Sequence, residues 1–134
     1  MSEYIVVADI DMDDGDCIVK SLKELGYPCT VHSEPKNLHG YQGDKREQKA
    51  HIIVDRGHVG VAANDIGFLK KANGKYEMII SAYDKGARHA DNFLKKLPRN
   101  YAAHKVIKTA AKMGIRVVSK VEQDGEIHIH ARAY

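Results

Sequence analysis

Asp9, Asp11, Asp13, Asp14 and Asp16 crowd the beginning of the sequence, and His128 and His130 alternate with isoleucines near its end. Carboxylates and imidazoles are metal ligands, so both patterns invite that chemistry. A calcium loop of the EF-hand type starting at Asp9 would need glycine at its sixth position and glutamate at its twelfth. Asp14 and Lys20 occupy those positions. The aspartates fit the start of a helix better, with Asp13 or Asp14 as the N-cap and the others near the positive end of the helix dipole. His128 and His130 share one face of a strand, but they supply two ligands where a closed zinc site uses four. Neither pattern leads us to expect a metal, and no cofactor is expected either. Nucleophilic catalysis has no assembled set: there is no GxSxG, and Ser21, Ser33, Ser81 and Ser119 lack a recognisable base context. Walker-type and Rossmann glycine patterns are also missing. The sequence therefore leans away from an enzyme.

The more suggestive chemistry is basic. Arg88, Lys95, Lys96, Arg99, Lys105, Lys108 and Lys112 stud the region after residue 84, with Tyr101 and His104 among them. Lys105, Lys108 and Lys112 recur at i, i+3 and i+7 and line one helical face. Such a face attracts phosphates, and a solvated charged face gives the same pattern. Earlier in the chain, Gly40-Tyr41-Gln42-Gly43 combines close backbone approach, a ring for stacking and an amide that both donates and accepts. Arg99 offers a planar fork suited to phosphate. We therefore expect Gly40–Gly43, Asp65 and the Arg99–His104 segment to form one rim of a pocket beside the sheet. Turn-forming, packing and capping roles for the same residues are the competing reading.

Several elements must position these residues. Glu3–Ile10 is rich in β-branched residues and reads as a strand. Ile18, Leu22 and Leu25 mark a helix that Gly26 ends, and Cys29–Ser33 is a short edge strand. Glu34–Glu47 reads as a long loop, Ala50–Asp55 as a strand, and Arg56–Asn64 as a turn followed by an irregular strand. Asp65–Lys71 and Lys75–Ala82 flank Asn73-Gly74, where a type I′ hairpin turn is expected. A helix becomes regular near Ala87 and is broken by Pro98. Asn100 then caps a second helix with an apolar stripe of Ala103, Val106, Ile107, Ala110 and Met113. Ile115–Gln123 and Glu126–Ala133 form a last hairpin around Asp124-Gly125. The order β-α-β-β-β-β-α-α-β-β predicts a single α+β domain over 1–134. Its sheet should be mainly antiparallel, built from hairpins, with helices packed on one face.

Three segments, in this order and spacing, resemble an uncharacterised family first described as a plastid reading frame, the domain-of-unknown-function family 1257. Relatives of that family occur in cyanobacteria, other bacteria and phages. The segments are Gly40–Gly43, then Asp65-Ile66-Gly67-Phe68 with Lys75-Tyr76-Glu77, then Asn100–His104 running on to Asp124-Gly125. The helix ending Lys23-Glu24-Leu25-Gly26-Tyr27 also fits. The family pattern usually carries aromatics, often tryptophan, after the fifth strand, where this chain reads Ile80-Ser81-Ala82-Tyr83-Asp84. The resemblance implies a fold and no reaction.

Composition bounds the function classes. At 134 residues the chain can bury one core without staples. No apolar run approaches the ~20 residues of a membrane span. The start, MSEYIVVADIDMDD, lacks the features of an export signal, so a cytoplasmic protein is expected, with Cys17 and Cys29 as reduced thiols. Residues 1–67 hold 7 basic against 12 acidic side chains, and residues 68–134 hold 14 against 6. That split suits an anionic partner, head-to-tail homo-oligomers, or neutralisation of one half by the other. The leading expectation is a non-catalytic protein binding a phosphate-bearing ligand, nucleotide or nucleic acid, through Tyr41, Gln42, Asp65, Arg99, Tyr101, His104, Lys105, Lys108 and Lys112. An assembly factor is the first alternative, and a small metal-dependent or hydrolytic enzyme the second.

Overall fold

The structure, a computed structural model, describes residues 2–7 and 11–133. Part of the expected first strand (residues 8–10), and Asp9 of the aspartate run with it, lies outside the described residues. The elements are β1 (Tyr4–Val7), α1 (Gly15–Glu24), β2 (Thr30–His39), β3 (Lys45–Val54), α2 (Arg56–Val59), β4 (Ile66–Lys70), β5 (Tyr76–Ser81), α3 (Ala82–Lys85), α4 (Leu97–Lys112), β6 (Ile115–Gln123) and β7 (Glu126–Ala133). A π-helical turn, Asn92–Lys96, leads straight into α4. Strands β1–β5 form one sheet in the order β1-β5-β4-β3-β2, and β6-β7 is a separate ribbon. Every pairing described is antiparallel, so the chain is α+β.

Alternation decides which sheet face is covered. Ile52, Val54, Ile66, Phe68, Met78 and Ile80 turn their side chains to one face, where Ile18 and Leu22 of α1 and Leu97 and Tyr101 of α4 complete the main core. Tyr27 and Phe93 meet there as a tilted aromatic pair with ring centroids 4.6 Å apart. The opposite face carries a smaller cluster of Leu38, Ala50, Ile53 and Ile79. Gly67 of β4 belongs under that cluster, and a Cβ there would stand 2.5 Å from the Ala50 Cβ. No side chain fits at that position.

Three expected elements are different in the fold. The long loop over Glu34–Glu47 is mostly strand: β2 runs on to His39 and β3 begins at Lys45, leaving a tight turn at Gly40–Asp44. An edge strand escapes detection because it buries little; only Leu38 of β2 is fully covered. The edge position tolerates Pro35, and two register shifts against β3 absorb the irregularity. Arg56–Val59 closes into a single helical turn capped by Asp55.

Pro98 does not break the helix. In the π turn before it, the Leu97 N–H bonds the Asn92 carbonyl, one residue further back than in an α-helix. Pro98 then falls in the first turn of α4, where its missing N–H is tolerated. Asn100 is consequently buried inside the helix and caps nothing. The expected stripe is also displaced. α4 packs by its first turns, through Leu97, Tyr101 and Ala103, whereas Val106 is 53% and Met113 70% exposed.

The two hairpin turns differ as well. Asn73 keeps a negative φ and only Gly74 is left-handed, so Ala72–Gly74 is a three-residue loop closed by Lys71 and Lys75. Asp124 and Gly125 both have positive φ (53° and 76°), so the type I′ geometry occurs at the last hairpin instead.

Candidate functional site

The acidic helix start and the basic helix meet. Asp14 caps α1 by accepting the Cys17 N–H at 3.2 Å. Lys108 of α4 lies 2.6 Å from the Asp14 carboxylate, and Lys105 lies 3.0 Å from that of Asp13. The Tyr101 hydroxyl accepts the backbone N–H groups of Asp13 and Asp14 at 2.9 and 3.1 Å, and donates to Asp13 Oδ1 at 3.0 Å. One phenol thus satisfies the N–H of the N-cap, which a helix N-terminus leaves without an intrahelical partner, and that of the residue before it. Partial burial raises the Asp14 pKa, but the Lys108 ammonium and the Cys17 amide outweigh it and bring the group to about 2. The Lys105 ammonium, helped by Tyr101, holds Asp13 below the usual carboxylate range. At this junction the charged halves of the chain neutralise one another.

Further along the same two helices the charges are not matched. A groove of about 800 Å³ runs between α1 and α4 with Val19, Val31, Ile107 and Ala111 as its apolar floor. Lys20 and Lys23 of α1 flank it on one side, and His104, Lys108 and Lys112 of α4 on the other. Asp16 also lines the groove, 3.8 Å from Lys108, whereas Lys20, Lys23 and Lys112 have no carboxylate within 4 Å among the described residues. Val31, 64% exposed on edge strand β2, leaves the apolar floor open to solvent. His104 sits at the inner end, with Nε2 3.5 Å from Glu24 and no hydrogen-bond partner. Burial pushes its imidazole pKa down and so favours the neutral ring, against the opposing pull of Glu24.

The expected single rim divides into separate places. Asp65 holds the Gly40–Gly43 turn: its carboxylate accepts the N–H groups of His39 and Arg56, both at 2.8 Å. The Tyr41 N–H donates to Asn64 Oδ1 at 3.0 Å, the Arg56 guanidinium donates to the Tyr41 carbonyl at 2.8 Å, and Gln42 Nε2 donates to the Tyr41 hydroxyl. Tyr101 instead belongs to the α1–α4 junction. The Arg99 fork is turned to the ribbon, where it pairs with Glu122 at 2.6 Å and the Gly125 carbonyl at 2.9 Å. A fork already satisfied by a carboxylate is not available to a phosphate. Of the expected residues, His104, Lys108 and Lys112 line the groove, and Lys105 is drawn to Asp13.

Two features had no signal in the sequence. Lys20 and Lys23 stand three apart on α1, but nothing local says that α4 will lie beside them. Behind Asp65, Ser81 and Asp84 form a fully buried polar network: Ser81 Oγ donates to Asp84 Oδ2 at 2.7 Å, Asn64 donates to both, and His89 Nε2 lies 2.8 Å from Asp84 Oδ1. Its members are scattered over 26 residues and meet only through the turn after β5. Among the described residues no three metal-ligating side chains are placed to share an ion. No helix of the structure is long and apolar enough to cross a membrane. Cys17 and Cys29 are free, and burial pushes both thiols up.

Residues 21–129 match the family model described as Protein of unknown function (DUF1257), and the chain belongs to that family. No curated protein and no solved structure matches it.

Proposed function

Since that membership carries no activity, we propose a function from the groove: the protein binds a phosphate-bearing ligand, a nucleotide before a nucleic acid strand, between α1 and α4 without transforming it. The observation that carries this reading is the set of three ammonium groups, Lys20, Lys23 and Lys112, facing one apolar floor with no carboxylate within 4 Å of them among the described residues, the lining carboxylate, Asp16, lying beside Lys108. Desolvated phosphate oxygens gain charge-assisted hydrogen bonds from such groups, and a planar base finds apolar surface between Val19, Val31 and Ile107. The size of the groove falls within the ~300–1,000 Å³ range of small-molecule sites, which favours a nucleotide over an extended strand.

Titration calorimetry with nucleoside mono-, di- and triphosphates, inorganic tripolyphosphate and short oligonucleotides tests the reading. Binding of a nucleotide that weakens with salt and exceeds binding of tripolyphosphate supports it. Tighter binding of oligonucleotides reassigns the groove to nucleic acid. Heats indistinguishable from dilution across the whole series refute both.

A further inference from the structure

The two sheets present four outer strand edges: β1 and β2 on the five-stranded sheet, β6 and β7 on the ribbon. An open edge is a template for another strand, and folds usually blunt it by shortness, proline, bulges or lysine. β1 is described over Tyr4–Val7, and of the other three edges two are blunted. β2 carries Pro35 and two register shifts. β6 carries an extra residue, Val118, between its pairings at Val117 and Ser119, and has Lys120 at its middle. β7 has none of these features. It runs for eight residues, Glu126–Ala133, without proline, lysine or an inserted residue. Among the described residues its backbone makes no hydrogen bond to any element other than β6.

The turn fixes which groups of β7 are free. In a two-residue hairpin the flanking pair, here Gln123 and Glu126, exchanges both hydrogen bonds, and so does every second pair after it. The backbone groups of His128 and His130 therefore turn to β6, and those of Ile127 and Ile129 point out of the edge. The side chains divide by the same alternation. Ile127 and Ile129 lie on the half-buried face of the ribbon, and Glu126, His128, His130 and Arg132 on its other face, where all four are exposed.

We propose that two copies of the chain pair through β7, antiparallel about a two-fold axis at Ile129, and so build a four-stranded sheet from the two ribbons. The axis position follows from charge. With Ile129 opposite its symmetry mate, Glu126 stands opposite the partner subunit's Arg132, and two-fold symmetry repeats the pair. Moving the axis to His128 places Glu126 opposite a histidine, and moving it to His130 places Arg132 opposite one; either loses both ion pairs. The same register joins the outward-pointing groups of Ile129 to those of its symmetry mate, and those of Ile127 to those of the partner subunit's Ala131, in backbone hydrogen bonds. It also brings the half-buried isoleucines of the two copies together, adding apolar burial that one ribbon lacks.

Sedimentation equilibrium of the full chain and its variants tests the proposal. The wild type should dimerise reversibly. Glu126→Arg alone and Arg132→Glu alone each put like charges opposite one another twice, and each should weaken the dimer by on the order of tenfold. The double variant Glu126→Arg/Arg132→Glu restores opposite charges and should recover the wild-type constant. Hydrogen exchange at the Ile127 and Ile129 amides should slow as protein concentration rises. A wild type that stays monomeric, or a dimer indifferent to both single reversals, overturns the proposal. The nucleotide experiment reads a different surface, so each can fail without the other.

Discussion

The α1–α4 interface holds two groups of lysines that look alike in the sequence and differ in the fold. At its start, Lys105 and Lys108 lie against Asp13 and Asp14, with Tyr101 locking the turn between them. At its far end, Lys20, Lys23 and Lys112 surround an apolar floor and meet no carboxylate among the described residues. The first group helps to fix the helices; the second leaves an uncompensated field that a ligand can use. A run of basic residues therefore specifies neither outcome. What decides is whether an opposite charge arrives from elsewhere in the chain.

The contrast can be broken from either end. The largest effect is expected at the groove. Changing Lys20, Lys23 and Lys112 together to glutamate should weaken nucleotide binding by a hundredfold or more, because charge-assisted hydrogen bonds contribute roughly 1.5–3 kcal/mol each. Circular dichroism of that variant should match the wild type. Retained affinity in calorimetry would mean that the groove is only solvated.

Next comes the junction. Tyr101→Phe keeps the ring in the core but removes the acceptor of two backbone N–H groups, and should cost about 1–3 kcal/mol in urea unfolding. It should leave nucleotide affinity within twofold, since the junction is structural. A loss of affinity larger than the loss of stability would merge the two regions into one site.

Acid offers a third, smaller effect. Asp13 and Asp14 have folded pKa values below their unfolded ones, so their contribution is complete above the unfolded carboxylate range near pH 4. It should fade as pH falls through about 2, where Asp14 titrates. Lys108→Gln should flatten this part of the stability profile, measured as urea midpoint against pH. An unchanged profile would show that Lys108 does not hold Asp14 ionised. The smallest effect is expected from Lys112→Gln, an exposed change without a carboxylate partner: stability within about 0.5 kcal/mol of the wild type. A clear destabilisation would reveal a structural role and narrow the distinction.

Much of the fold was legible because burial writes alternation into sequence. Ile52, Val54, Ile66, Phe68, Met78 and Ile80 announced their strands, and the N-cap at Asp14 followed from side-chain chemistry. The family was legible from the spacing of its segments. The start of β2 was legible as a short edge strand, but its continuation from Glu34 to His39 was not, because an edge strand with one buried residue has no alternation to read. The helix across Pro98 was not, because a π turn is set by tertiary packing and leaves no local signature. For the site, Lys105, Lys108 and Lys112 could be picked out as a basic face, but the separation of Lys105 and Lys108 from Lys112 depends on Asp13 and Asp14, which lie some ninety residues away. Arg99 and Asp65 carried the right functional groups, and the fold committed them to the ribbon and to the Gly40–Gly43 turn.

The Tyr101 hydroxyl bonds residues 88 and 87 positions before it. Closing so long a loop is slow, and contacts of such separation form late in folding. While the chain is being made, α1 leaves the ribosome long before the tyrosine that completes its first turn. Ile18 and Leu22 lack the cover of Leu97 and Tyr101 until the last third of the protein follows. The beginning of the chain is thus held in an aggregation-sensitive state by a residue near its end, and truncation before α4 should yield not a smaller domain but an insoluble one.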